Sequence, residues 1–427
     1  PILAFARMTQ EKYMYNWFYR WKHRIIIALA IVGPGLITAV ADNDAAGIST
    51  YSIAAATFGY QIFIILIPMT ILLAVTQEIG ARIAIVAEKG LADLIRERYG
   101  VRTAIVMYGL LFFVNLAVVI MDVAGLKAAL SLFGLNPTIF LPAIIVGLYF
   151  FVVLASYSIV ERFFLVLVAF YITYIFSAFM AKPDWALATQ SLVLPHGSIT
   201  PRLLYVGIAV LGTTITAWGQ FFINSYVKDK HLTTEHLKYN RAEIYLGAIV
   251  TDTLTFFMMV AVAATIFANK IVITDAAQAA IAIRPFAGNF AGILFGVGLL
   301  FAGMLGCVIV ALTTAYAFSE FFGYSGSLDE TFRKSRLFYT TLLIQLGIGT
   351  IVALMPNVSL FAITLAANFV NGAILPIIFY FLYKFANNEA IMGIHTNNKV
   401  QNWLLVGSAV VIIFASFFGI FGQIMGW

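Results

Sequence analysis

The chain contains little charge and almost no cysteine. Of its 427 residues, 62% are hydrophobic and only 10% are charged, whereas soluble domains carry about 25% charged residues. No single soluble core could bury so much apolar surface, so lipid must surround most of the chain. A large domain outside the membrane is therefore excluded. The lone Cys307 excludes an internal disulfide, and its apolar neighbours indicate a packed side chain rather than a reactive thiol.

Long runs of apolar residues make up most of the sequence. Because a membrane-crossing helix needs about 20 apolar residues, this length allows on the order of 10–14 spans. The runs are continuous rather than alternating, which favours helices over a barrel. The first run leads straight into a full span, so we expect no secretory-type leader. We predict eleven transmembrane helices, near residues 25–57, 60–87, 103–132, 138–156, 159–181, 202–227, 240–268, 288–322, 335–355, 359–383 and 402–426.

The placement of the 25 basic residues predicts the orientation. With the N-terminus in the cytoplasm, 20 of them fall in inside segments and only Lys182, Arg202, Lys270 and Arg284 fall outside. This bias follows the positive-inside rule and favours an odd number of spans, with the C-terminus extracellular. The net charge of +6 thus describes topology in a cell membrane. The expected partner is the lipid bilayer, and a nucleic-acid partner is not expected.

Two spans are interrupted near their middle. The first contains Asp42, Asn43 and Asp44, which are costly in lipid unless they line a wet cavity, and whose side chains compete for backbone hydrogen bonds. The sixth contains a run of glycines and small residues over 211–220. Breaks in the first span of each of two successive five-span halves indicate an inverted repeat with a site between the broken helices.

This pattern predicts an all-α, multi-span membrane protein with a single transport domain over 1–427. The fold class is an inverted five-helix repeat with broken helices one and six, of the leucine-transporter type. The first repeat is expected at about 25–181, the second at about 202–383, and an extra helix at about 402–426.

Facing breaks would expose backbone carbonyls beside a carboxylate. The carbonyls are those of Ala41 in the first helix and of Thr213 or Thr214 in the sixth, and Asp44 supplies the carboxylate. Hard oxygen ligands suit Mg²⁺, Ca²⁺ or Mn²⁺. Asp44 could instead be only an N-cap of the second half-helix, although the two roles are compatible.

Motifs in three spans carry a family resemblance. Gly33-Pro34-Gly35 is followed after eight residues by Asp44, the second span reads Gln77-Glu78-Ile79-Gly80-Ala81-Arg82, and Asn368 stands eight residues before Pro376. These features resemble the Nramp divalent-metal transporters, in which a glutamine at the position of Asn368 helps to hold the ion. The resemblance covers nearly the whole chain in span count and order. It implies a monomer that transports its metal as substrate and needs no cofactor.

The departures from that family concern the ion ligands. The family's Met-Pro-His in helix six corresponds here to Ala217-Trp218-Gly219 or, shifted by one residue, Thr216-Ala217-Trp218, and its helix-one Asn is replaced by Gly47. Losing the thioether removes a soft ligand that favours Mn²⁺ and Fe²⁺ over Mg²⁺. The wider, oxygen-only site suits Mg²⁺, which keeps several waters. The pattern resembles the Nramp-related magnesium transporter branch, which implies uptake of Mg²⁺ and Mn²⁺ into a bacterial cell.

Residues and resemblance together predict the ion site. The expected metal ligands are Asp44, Ala41, Thr214 and Asn368. The wider substrate-binding set adds Gly47, Thr213, Ala217, Trp218 and Gln220.

Tight proton coupling is not expected. The histidines, which are His23, His196, His231, His236 and His395, all lie outside the predicted spans. Asp122 and Asp252 are equally well interpreted as structural carboxylates or as proton relays, and Lys127 is poorly spaced to pair with Asp122 on one helix face. We predict downhill or voltage-driven transport.

Three alternatives remain open. The first is a proton-coupled importer of Mn²⁺ or Fe²⁺, and the second is an amino-acid or amine symporter of the same fold, in which Asp44 would accept an amine. The third is a membrane enzyme, which would need a nucleophile–base pair or a histidine-rich metal cluster near an interface. The sequence has no intramembrane histidine, so we expect no enzyme.

Overall fold

The computed structural model describes residues 33–198, 200–273, 276–355 and 360–425. Within these ranges the side chains are not described for residues 201, 208, 276–277, 360–370, 372–373, 415–416, 418–420 and 422–425. Every regular element in the described ranges is helical, and they contain no strand. The predicted all-α class is therefore confirmed.

Seventeen α-helices follow one another along the described chain. They are α1 (Pro34–Ala41), α2 (Ala45–Phe58), α3 (Leu66–Ala87), α4 (Leu91–Leu132), α5 (Pro137–Leu154), α6 (Tyr157–Ala169), α7 (Ile172–Met180), α8 (Trp185–Gln190), α9 (Pro201–Thr214), α10 (Ala217–Asp229), α11 (Leu237–Val262), α12 (Ala276–Ala287), α13 (Asn289–Phe322), α14 (Arg336–Leu354), α15 (Leu360–Ala386), α16 (Glu389–Met392) and α17 (Lys399–Met425). A 3₁₀ turn over Gly59–Ile65 joins α2 to α3, and a π turn over Ala263–Phe267 extends α11.

Several helices begin at a capping side chain. Asn136 accepts a hydrogen bond from the Thr138 amide at the start of α5, at 3.0 Å. Thr200 does the same for Leu203 at the start of α9, at 3.1 Å. Each of these two caps is followed by a proline, whose missing N–H costs nothing in the first turn.

The outer surface of the bundle is apolar. Leu154 and Phe113 are 81% and 70% exposed, and many other large apolar side chains are exposed around them. A soluble monomer rarely shows so extensive an apolar surface. The described residues contain eight helical stretches that are long and apolar enough to cross a membrane. The count of eleven spans remains a prediction.

Most predicted spans match helices within a few residues, with two main differences. α4 begins at Leu91 rather than 103 and bends at Gly100, whose φ is 82°; the charged residues of its first turns concealed the helix from a search for apolar runs. The predicted span at 159–181 is divided into α6 and α7. The prediction for residues 25–32 lies outside the described residues.

Helices one and six are broken, as predicted. Asp42–Asp44 separate α1 from α2, and Ile215–Thr216 separate α9 from α10. The long helices α4 and α13 pack against each other beside the first break. Gly306 of α13 permits this approach, because a Cβ at that position would lie 2.6 Å from both Asp122 Oδ2 and Asp44 Cβ.

Candidate metal site

The first break is held by its own polar residues. Asp44 caps α2, since its Oδ1 accepts a hydrogen bond from the Gly47 amide at 2.6 Å. Asn43 turns away to α11, where its Nδ2 donates to the Thr251 carbonyl at 3.0 Å and its Oδ1 accepts from Thr255 at 2.8 Å. Asn43 therefore anchors the break, and Asp42 and Asp44 are the acidic groups that remain beside it.

The second break is bridged by an asparagine from α15. Asn371 Oδ1 accepts a hydrogen bond from the Ala217 amide at 2.9 Å, and its Nδ2 donates to the Gly212 carbonyl at 3.2 Å. Thr216 adds the conventional cap, accepting from the Gly219 amide at 3.0 Å. Sequence reasoning missed Asn371. It selected Asn368, one turn earlier on the same helix, whose side chain lies outside the described residues.

Direct side-chain contacts join the two breaks. Asp42 Oδ1 accepts from the Thr216 hydroxyl at 3.1 Å, and its Oδ2 accepts from Gln77 Nε2 at 3.2 Å. Beside them, the Tyr51 hydroxyl of α2 contacts Thr214 Oγ1 at 2.5 Å. The broken helices thus face each other, as an ion site between them requires.

The unwound backbone presents carbonyl oxygens with no backbone partner. A continuous helix would satisfy the carbonyl of each residue with an amide four residues later. In the described part of the chain, no backbone N–H donates to the carbonyls of Ala41, Thr213 or Thr214. These three predicted positions therefore leave hard oxygen atoms at the breaks.

Four carboxylates gather around the first break. Asp42, Asp44, Asp122 and Asp252 are each at most 5% exposed. Asp122 Oδ1 accepts from the Ala46 amide at 3.4 Å, at the positive N-terminal end of α2. None of the ion pairs found among the described residues involves these four acids. The cluster is thus strongly attractive to a cation.

Gly47 is needed for the close packing of the break. A Cβ at this position would lie 2.6 Å from the Asp42 carbonyl oxygen and 3.3 Å from Asp44 Oδ1. Glycine therefore lets the unwound backbone approach the first turn of α2. A larger residue, such as the asparagine of the resembling family, would not fit this arrangement without a shift of the backbone.

Two predicted residues lie beside the breaks rather than in them. Gln220 is fully buried, and its Nε2 donates to Thr76 of α3 at 3.3 Å. Trp218 is fully buried in the apolar core, and its Nε1 has no hydrogen-bond partner among the described residues. Of the wider predicted set, Asp44 and Gly47 are joined by a hydrogen bond at the first break, and Thr214 of the second break contacts Tyr51 of α2. Ala41, Thr213 and Ala217 lie at the ends of the helices that flank the two breaks.

The arrangement can hold an ion only partly through side chains. Over the described ranges, no three Asp, Glu, His or Cys side chains converge closely enough to hold one metal ion. An ion at the breaks would take further ligands from the free carbonyls and from water. Such a mixed oxygen environment suits a hard divalent cation.

A separate acidic cavity of about 740 Å³ lies near the C-terminal ends of α3, α10 and α13. Lys228 lines it and holds Asp93 Oδ2 at 2.8 Å and Glu320 Oε1 at 3.7 Å. Its lining contains none of the break residues. In the predicted orientation this cavity faces the cytoplasm.

The family model and the relatives that match this chain are all divalent-metal transport proteins or their family. Residues 35–422 match the family described as Nramp, natural resistance-associated macrophage protein-like. The chain is 25% identical over 422 residues to the divalent metal cation transporter MntH of Klebsiella pneumoniae, covering 94% of this chain and 96% of that protein. It is 26% identical over 411 residues to MntH of Bacillus subtilis, covering 90% of each.

The same fold occurs among solved structures. The crystal structure of the H236A mutant of the Eremococcus coleocola manganese transporter superposes with a TM-score of 0.71. The match covers 92% of this chain and 86% of that chain at 17% sequence identity. The predicted fold class is confirmed by this likeness.

Proposed function

The chain belongs to the Nramp family, and from this premise we propose that it takes up Mg²⁺ and Mn²⁺ across the cell membrane by alternating access. Its relatives named above are divalent metal transporters, which supports transport of a metal as substrate rather than catalysis. We propose that it acts as a monomer, with a cytoplasmic N-terminus and an extracellular C-terminus. The positive-inside distribution of Lys and Arg supports that orientation.

One observation carries the choice of Mg²⁺. No three Asp, Glu, His or Cys side chains converge on one point within the described residues, so an ion bound through Asp44 would keep part of its water shell. Mg²⁺ dehydrates reluctantly and is usually bound through one or two carboxylates plus water. A site with few protein oxygen ligands, which leaves part of the hydration shell in place, therefore suits Mg²⁺ better than a site that replaces all of the ion's water.

The ligand roles follow from the geometry at the breaks. Asp44 would supply the negative charge, since its carboxylate lies at the junction of the unwound segment and α2. The carbonyls of Ala41 and Thr214, to which no backbone amide of the described residues donates, would supply neutral oxygens. Thr213 and Ala217 would line the site from helix six, and Asn368 is carried over from the family resemblance alone.

We further propose that transport is driven by voltage without tight proton coupling. A membrane potential of 100 mV is worth about 2.3 kcal/mol per charge and roughly double for a divalent ion. That energy corresponds to a concentration ratio of roughly three orders of magnitude. Asp122 accepts from the Ala46 amide, which supports a structural role for this carboxylate at the start of α2.

A second candidate, a transition-metal importer, is favoured by Met69. Its Sδ lies 2.9 Å from Thr214 Oγ1, beside the helix-six break. A thioether there could replace the soft ligand that helix six lacks. In that case Met69→Leu should abolish Mn²⁺ uptake and spare Mg²⁺ uptake. Equal effects on the two ions would exclude this ligand role.

The test of the proposal is uptake of Mg²⁺ and Mn²⁺ into proteoliposomes. Asp44→Ala should abolish uptake of both ions. Asp184→Ala is the matched control, because Asp184 is also an N-cap aspartate, accepting from the Leu187 amide at 3.0 Å, but caps the short helix α8. Undiminished uptake by Asp44→Ala would remove the site assignment. A rise in melting temperature with amino acids, and none with Mg²⁺ or Mn²⁺, would favour the symporter.

A further inference from the structure

Asp252 of α11 is a buried carboxylate without a dedicated donor in the described part of the chain. It is 5% exposed, and neither Oδ1 nor Oδ2 has a hydrogen-bond partner among the described residues. A buried polar group without a partner costs several kcal/mol, and a buried charge costs more unless it is paired. The other acids of the cluster do not share this condition, since Asp42, Asp44 and Asp122 each accept at least one hydrogen bond.

The contacts of its neighbours place Asp252 beside the first break. Thr251 and Thr255, on the same part of α11, both bind the Asn43 side chain. Asp252 also interacts electrostatically with Asp42 and with Tyr51. Its carboxylate therefore belongs to the acidic cluster around the ion site.

The protein groups that face Asp252 have their hydrogens engaged elsewhere. The Thr70 hydroxyl of α3 lies close enough to Asp252 to interact with it, but its one hydrogen is shared with the Leu66 carbonyl, to which it donates at 2.8 Å. The Tyr51 hydroxyl is engaged with Thr214 Oγ1. No Lys or Arg forms an ion pair with Asp252 in the described part of the chain. Within the described residues no donor is committed to Asp252 alone, so its oxygens are available to water that accompanies an ion.

In the predicted orientation, Asp252 lies on the extracellular side of the first break. Tyr51 stands seven residues, or two turns, beyond Asp44 along α2, and Thr70 lies near the start of α3, to which α2 leads. The predicted orientation places this α2–α3 connection toward the outside. Asp252 therefore flanks the path by which an ion would reach Asp44 from the exterior.

We propose that Asp252 is a second acidic anchor for the transported cation, and that it accepts hydrogen bonds from water molecules in the hydration shell of the ion. This inference rests on the proposed function. The waters that Mg²⁺ retains direct their hydrogens outward and need acceptors. Charge-assisted hydrogen bonds to a carboxylate are about twice as strong as neutral ones, and Asp252 offers two free oxygens. It would hold the hydrated ion beside the first break, near Asp42 and Tyr51, without displacing water.

The test uses hexaamminecobalt(III), whose ligands do not exchange, so that it can bind only through its outer shell. In proteoliposomes, we expect Asp252→Asn to raise the KM for Mg²⁺ about tenfold and to weaken inhibition by hexaamminecobalt by a similar factor. Thr253→Ala is the control on the same turn. Its hydroxyl donates to the Ile249 carbonyl on an exposed face, and both values should match the wild type.

The outcomes separate this inference from the proposed function. A wild type that takes up no Mg²⁺ would refute the proposed function itself. Wild-type uptake with an unchanged KM in Asp252→Asn would overturn the anchor alone. A raised KM with unchanged hexaamminecobalt inhibition would also overturn it, because the carboxylate would then act on the metal directly. Should Asp252→Asn melt before reconstitution, Asp252→Ser gives the same comparison with a smaller neutral side chain.

Discussion

The substitution Gly47→Ala tests the packing of the first break. The added Cβ would lie 2.6 Å from the Asp42 carbonyl oxygen, a backbone atom that cannot swing away. The unwound segment must therefore move by roughly half an ångström. Overpacking of this kind costs about 1–3 kcal/mol, whereas replacing a helical glycine with alanine gains only about 0.5–1 kcal/mol. The cost of the clash should exceed this gain, so the free energy of unfolding should fall by roughly 0.5–2 kcal/mol.

The displacement should affect the ion more than the fold. Ligands must be held within about 0.5 Å of their working geometry, and the shift moves the segment that carries both Asp42 and Asp44. We expect Mg²⁺ uptake at low concentration to fall by about 5–30-fold, which corresponds to 1–2 kcal/mol. The assays are initial uptake rates in proteoliposomes and the melting temperature in detergent.

The control for this substitution is Gly109→Ala in α4, where a Cβ would meet nothing within 4 Å. It should leave uptake unchanged and should not lower the melting temperature. Gly47→Ala protein with wild-type uptake and wild-type melting would refute the argument that the Asp42 carbonyl approaches position 47. A lowered melting temperature with wild-type uptake would show that Gly47 is needed for packing but not for ion binding.

Two further predictions concern stability. Asn371→Ala leaves the buried Ala217 N–H and the half-buried Gly212 C=O without their side-chain partner at the helix-six break, which should lower the free energy of unfolding by about 1–3 kcal/mol; an unchanged denaturation midpoint would contradict the bridging role. Glu78→Gln removes the negative charge that pairs with the buried Arg82, since both side chains are at most 3% exposed, while Arg82 keeps its hydrogen bonds to the His395 carbonyl and to Asn397; it should cost about 1.5–3 kcal/mol. The exposed pair Lys89–Glu97 is the contrast, because Lys89→Ala should cost under about 1 kcal/mol. Equal effects of Glu78→Gln and Lys89→Ala would show that burial does not determine how much these ion pairs contribute to the free energy of unfolding.

The helix-one break could be predicted because its signal is local. Three consecutive polar residues in an apolar span, Asp42–Asp44, compete directly for backbone hydrogen bonds. The break in helix six was predicted within 211–220 for a similar reason, since small residues and hydroxyls weaken a helix there. Neither inference needed a partner from another part of the chain.

The contacts across the breaks could not be predicted, because they depend on how distant helices are rotated against each other. Asn371 and Asn368 lie on the same helix, and only the structure shows that Asn371 reaches both ends of the helix-six break. Asp252 is likewise one of several polar residues along α11. That none of the described residues is assigned to it as a hydrogen-bond partner becomes visible only once α11 is placed against Asn43.

The most direct test of uncoupled, voltage-driven Mg²⁺ uptake records Mg²⁺ entry and luminal pH together in the same proteoliposomes, at set membrane potentials. Wild-type protein should admit Mg²⁺ at a rate that rises with inside-negative potential, while the luminal pH stays constant. Acidification of the lumen in proportion to Mg²⁺ entry, or no Mg²⁺ entry at any potential, would contradict the account.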